Sequence, residues 1–183
     1  MSKVYILLTK TDTVFSRCIH IFTNSEFTHA SIAIDDNLQT FYSFGRKYCY
    51  TMLPAGFVEE NLDKGLFSKK KNTKCVVYEI QTDKNTYDAI AKEIFFMSNN
   101  KKSYKYSVLG VPCVYFGINK KFKNRYLCSQ FVSDILMKHG IIEKFKEPNL
   151  ILPDDLKRIE KSSIVFQGTL KELKAFKENN LQN

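Results

Sequence analysis

Apolar and polar positions along this chain fall into runs, alternations and helical spacings that separate its elements. "KVYILLT" (3–9) is an apolar run of strand length and predicts a buried strand. "DTVFSRCIHIFTNS" (12–25) sets Val14, Cys18, Ile21 and Phe22 at helical spacing, with Asp12 or Thr11 as cap. "THASIAI" and "QTFYSFG" read as two strands joined by Asp35, Asp36 and Asn37, the composition of a hairpin turn. Residues 50–72 hold Pro54, Gly56, Gly65 and a lysine run, which predicts a long irregular excursion. "KCVVYEIQ" predicts a third central strand, and "TYDAIAKEIFFMS" an amphipathic helix capped near Asp83. A shorter helix is expected around "YSVLGVPCVYF". Another should run from after Tyr126 to a stop at Gly140. "LPDDLKRI" reads as a short helix, "SSIVFQG" as a last strand and "TLKELKAFKEN" as a final solvent-facing helix.

Helices thus come in groups between strands that include a hairpin, which favours an α+β fold over a doubly wound parallel sheet. No Pro/Gly/Ser-rich linker and no internal repeat divides the 183 residues, so one domain over 1–183 is expected. With 44% hydrophobic and 26% charged residues the composition excludes disorder. The first apolar run is too short for a secretory leader, and nothing approaches the roughly 18 to 20 apolar residues of a membrane span. A cytoplasmic protein is expected. There its five cysteines (18, 49, 75, 113 and 128) would stay reduced, and without a CxxC pair they suggest neither a disulfide framework nor a zinc site.

Lys and Arg outnumber Asp and Glu by 28 to 19, a net charge of +9 that permits contact with an anionic membrane surface. The lysine clusters at 69–71, 101–102 and 120–121 fall in expected loops and read as a solvated rim. No recognition helix or RNA-binding signature accompanies them, so nucleic acid is disfavoured as a partner. Oligomeric state is not encoded.

Candidate chemistry gathers at "NRYLCSQFVSDILMKHGI" (124–141). From Cys128 the apolar Phe131, Val132, Ile135 and Leu136 follow at helical spacing, so the cysteine sits in the first turn on the core-facing stripe. As filler it would be a small buried thiol. As a nucleophile it would gain from the helix N-terminus a lowered pKa and N–H donors for an oxyanion. Tyr126, two residues earlier, lines either a pocket or the core. A nucleophilic thiol needs a base. His139 stands before the capping Gly140, and His20 lies on a helix face. His29 opens a strand beside the small Ser31 and Ala33, which leaves room for another element to approach. A tight turn at Asp36-Asn37 would put residues 43–45 opposite His29, and Ser43 is the polar candidate there to orient the imidazole. A serine supports an imidazolium less than a carboxylate would.

"TNSEFTHASIAI", "YLCSQFVSDIL" and "LPDDL" together resemble the circularly permuted branch of the NlpC-type papain-like cysteine hydrolases, with its YiiX-like and YycO-like bacterial members. The order His29 before Cys128, the reverse of papain, resembles that branch. The likeness covers roughly residues 3–160, with 47–125 matching only in layout. It implies a central antiparallel sheet or partial barrel against a helix that starts at the cysteine. Cys128 would be the nucleophile, His29 the base, and Ser43 would stand where this branch often has an acid. The implied activity is cleavage of an amide bond in a peptide or N-acyl amino-acid substrate, cell-wall-derived fragments included, through a thioester and without metal or organic cofactor. Two alternatives stay open: a lipid acyl hydrolase or acyltransferase on the same dyad, in the manner of distant lecithin:retinol acyltransferase-type proteins, and an inactive basic binding module.

Overall fold

The computed structural model describes residues 1–11, 25–48, 51 and 53–180; the helix expected over 12–25, with Cys18 and His20, and Cys49 lie outside the described residues but for Ser25. Strand β1 (Ser2–Thr9) occupies an inner position of the sheet, antiparallel to β2 (His29–Ala33) on one side and β5 (Lys74–Thr82) on the other. Its Val4, Ile6 and Leu8 enter one core cluster and its Tyr5 and Leu7 another. Burial on both faces is why this strand is apolar without alternation.

β3 (Thr40–Arg46), β4 (Ala55–Asn61), β6 (Lys105–Tyr106), β7 (Arg125–Tyr126) and β8 (Ser162–Thr169) complete a curled, half-barrel sheet in the order β7-β6-β4-β3-β2-β1-β5-β8. Among the described residues only the pairing of β6 with β7 is parallel. The fold is α+β, as the grouping of helices implied.

One face carries α2 (Lys84–Asn99) and α4 (Cys128–Lys138), which supply Ile90, Ile94, Met97, Phe131, Val132, Ile135 and Leu136 to the larger cluster. The other face is covered by α1 (Gly65–Lys69) and α5 (Leu170–Asn180) through Phe67, Leu170 and Leu173. α3 (Gly110–Tyr115) belongs to the excursion between β6 and β7. α2 starts where Asp83 accepts from the Thr86 N–H at 3.0 Å. α4 is followed by Gly140 at φ +70°, a backbone that costs glycine least.

Two expectations need correction. The irregular stretch 50–72 contains β4 and α1, because "AGFVEEN" pairs along its length with β3. The last helix faces solvent on one side only: Leu170 and Leu173 are buried and Phe176 packs beside them, three residues apart on one stripe. "LPDDLKR" forms the expected short helix, of 3-10 type (Pro153–Arg158).

Rings fix α4 to the sheet. Phe44 of β3 lies 5.6 Å from Phe57 of β4, 5.4 Å from Phe131 of α4 and 5.0 Å from Tyr126, centroid to centroid. Burying a side chain such as Phe131 contributes about 1.5 to 3 kcal/mol, and paired rings add to it. These contacts hold the start of α4 near β2 and β3, and they pack the partly buried Tyr126 against the core.

Candidate active site

Cys128 is the first residue of α4, after Leu127 in extended conformation (φ −82°, ψ 160°). Gln130 turns its side chain back so that Oε1 accepts from the Leu127 N–H at 3.3 Å, while the Ser129 hydroxyl donates to the Ile151 carbonyl at 2.5 Å. The first turn is thereby anchored at both sides of the cysteine. The thiol itself is hydrogen-bonded with the His29 imidazole and lies against the backbone N–H groups of Ala30 and Ser129.

His29 Nε2 faces the Glu60 carboxylate, 2.8 Å from Oε1 and 3.0 Å from Oε2. That leaves Nδ1 for the sulfur. Ser31 donates to Glu60 Oε2 at 2.5 Å, so the carboxylate is held by two residues of β2 at once. The His29 and Glu60 side chains are only 12% and 10% exposed, which shields their interaction from solvent.

Electrostatics follow from this arrangement. Burial would push the Cys128 thiol up, but the hydrogen bond to His29, the imidazole's charge and the two backbone N–H groups bring it below its ordinary value. Burial would likewise depress His29, yet the Glu60 charge and the hydrogen bonds to Cys128 and Glu60 hold the imidazole well above its ordinary value. Both directions favour a thiolate beside an imidazolium. Tyr106 of β6 stands near enough to Cys128 that the sulfur's charge adds to burial in raising its phenol, which therefore stays protonated.

Ser43 is elsewhere. Its buried hydroxyl donates to the Ala30 carbonyl at 2.6 Å, and the group against the imidazole is Glu60. The register explains the difference. Ile32 stands opposite Tyr42, so His29 falls opposite Gly45, and a Cβ on Gly45 would already lie 3.7 Å from His29 Cε1 and 4.0 Å from Glu60 Oε1. The missing side chain leaves the space through which a residue of the next strand reaches the imidazole. Sequence reasoning missed Glu60 because its strand was read as irregular; the usable signal was the alternation of Gly56, Val58 and Glu60 against Phe57 and Glu59.

The "LPDDL" segment also acquires a physical role. Asp154 accepts from the backbone N–H groups of Glu26 and Phe27 at 2.6 and 2.8 Å, and Lys157 pairs with Glu26 at 2.6 Å while standing 4.8 Å above the Phe27 ring. The 3-10 helix thus braces the run that leads into His29.

His139 Nε2 meets Glu93 at 2.8 Å at the other end of α4, far along the helix from Cys128. Among the described residues no group of three or more His, Cys, Asp or Glu side chains is arranged to hold a metal ion, and no helix is long and apolar enough to cross a membrane. No protein-family model matches the chain, and no curated protein is significantly similar to it.

Proposed function

We propose that this chain is a cysteine-dependent acyl hydrolase of the permuted NlpC-type papain-like kind, cleaving an amide bond in a peptide or N-acyl amino acid. The observation that carries the reading is the continuous array Cys128–His29–Glu60 at the N-terminus of a helix. In the first half-reaction the Cys128 thiolate adds to the substrate carbonyl carbon, and the carbonyl electron pair moves onto oxygen. The oxyanion is met by N–H groups at the start of α4. Protonated His29 then donates its proton to the leaving nitrogen, the C–N bond breaks and a thioester remains. Neutral His29 next takes a proton from water, whose oxygen attacks the thioester; collapse releases the acid and returns the thiolate. Glu60 orients the ring and balances its positive charge, the task expected of Ser43.

The test is alkylation by iodoacetamide across pH 5 to 9 with peptide mapping, followed by a screen of peptide amides, N-acyl amino acids and acyl esters. Cys128 should react well below the usual thiol pKa of about 8.5 and lose that reactivity in His29→Ala. Indifference of Cys128 to His29 would leave a basic binding module as the better description. A second reading, a lipid acyl hydrolase or acyltransferase on the same residues, is favoured by the exposed apolar side chains of the segment just before the cysteine.

A further inference from the structure

The excursion between β6 and β7 leaves the sheet beside the candidate site and returns to it. Tyr106 and Tyr126 are partners across the parallel pair, and Cys128 follows two residues after the return. Inside it, Leu109, Phe116 and Ile118 are 66%, 68% and 51% exposed, with Val108 and Tyr115 also open to solvent. Such a concentration of large apolar side chains on one short segment is unlike the scattered single exposures of an ordinary surface.

The exposure is held by the backbone. After α3 the Ile118 N–H donates to the Cys113 carbonyl at 2.8 Å and the Gly117 N–H to Val114 at 3.2 Å, with Gly117 at φ +65°. This is the Schellman arrangement, which turns the chain back sharply. The Tyr115 and Phe116 rings stack edge to face at 4.8 Å. On the inner side, Gly110 is buried, with room for no side chain: a Cβ would come within 2.7 Å of Ser107 Oγ and 3.5 Å of Leu127. The loop is therefore pressed against the residue that precedes Cys128 while its apolar tip points outward.

Charge supplies the identity of what covers it. Between Glu93 and Asp134 the chain contains no acidic residue, and every charged side chain there is Lys or Arg. Lys105 and Arg125 stand at the roots of the excursion, Lys120 and Lys123 on its return limb, all exposed and without an ion pair among the described residues. Lys121, beside them, pairs with Glu147 at 3.5 Å. An apolar tip flanked by the four unpaired cations complements the boundary between anionic headgroups and acyl chains.

We propose that residues 107–124 dock this protein on an anionic lipid bilayer, inserting Leu109, Phe116 and Ile118 while the surrounding cations meet the headgroups. Docking would bring the Cys128 end of α4 toward the interface, where the carbonyl of an amphiphile with a fatty acyl chain is presented. The choice of substrate class rests on the acyl-transfer reading of the preceding subsection; the docking itself does not.

The experiment is flotation of the full chain with vesicles of phosphatidylcholine containing roughly 30% phosphatidylglycerol, against phosphatidylcholine alone, at about 0.15 M salt. The chain should float with the anionic vesicles only. The variant Leu109→Ser/Phe116→Ser/Ile118→Ser and the variant Lys120→Glu/Lys123→Glu should each lose about tenfold or more of that partition. Unchanged circular dichroism is expected, because all five side chains are exposed. Failure of the native chain to float, equal partition to neutral vesicles, or native binding by the triple variant would overturn the proposal. So would a stable dimer in solution that the triple variant dissolves, since the tip would then cover a second copy. Cys128→Ala should float normally and the triple variant should keep its low-pH alkylation, so a failure of docking and a failure of the nucleophile are read separately.

Discussion

Cys75 and Cys128 are both buried, at 1% and 5% exposure, and only one is placed to react. Cys75 sits in β5 among apolar neighbours, and burial followed by the Glu172 charge pushes its thiol up to about 12. Cys128 suffers the same burial and still falls below the ordinary value, because an imidazole and two backbone N–H groups meet its sulfur. Burial is common to both and decides nothing. What separates them is the direction of the local dipoles and one neighbouring cation.

His29→Ala should test that comparison most severely. With the imidazole gone, Cys128 has burial without its main opposing partner, and its alkylation at pH 6 should fall about hundredfold while Cys75 stays inert in both proteins. Glu60→Gln should have a smaller effect, about tenfold, since the ring keeps a hydrogen-bonding partner but loses the countercharge. Activity on any substrate found should follow a bell-shaped pH profile. Its acid limb reports formation of the thiolate, displaced downward, and its alkaline limb reports loss of the imidazolium, displaced upward, the two values belonging to the pair. Glu60→Gln should move the alkaline limb toward acid.

The same linkage acts on stability. Since His29 binds its proton more tightly folded than unfolded, its contribution is complete below the unfolded value of about 6.5 and is lost as pH rises through the raised folded value. Urea titrations of the native chain and His29→Ala at several pH values measure it.

Gly45→Val sharpens the comparison from the sheet. Atoms beyond Cβ crowd the space shared by His29, Val58 and Glu60, so low-pH alkylation of Cys128 should drop several-fold with Cys75 unaffected. The smallest expected effect is that of Asp154→Ala. Losing the acceptor of two backbone N–H groups should cost about 1 to 2 kcal/mol, a fall in Tm of roughly 2 to 8 °C by calorimetry.

The elements read most clearly from the chain were those whose pattern is set by one surrounding: β1 by double burial, α2 and α4 by a single apolar stripe, and the stop at Gly140 by its backbone. β4 was missed because its alternation serves the site and is broken by loop-forming residues. Gly56 lies opposite Gly45 in the ladder, Glu60 turns toward an imidazole two strands away, and Pro54 and Gly56 are themselves loop signals. Cys128 and His29 could be singled out locally, from a helix start and a strand start. Their carboxylate could not, since its place depends on a register and on a side chain that is missing.

The brace made by Asp154 has a consequence for how the protein is made. Asp154 grips residues 128 positions earlier in the chain for Glu26 and 127 for Phe27, so at roughly 5 to 20 residues per second it emerges on the order of ten seconds after them. By then Cys128, His29 and Glu60 have all left the ribosome, while the run into His29 is still unpinned and β8 has yet to cover β5. A chain arrested near residue 150 would hold every chemical group of the site without the clamp on the run into His29. Aborted synthesis products would then leave that run unbraced, and its bracing would arrive among the last properties the nascent protein acquires.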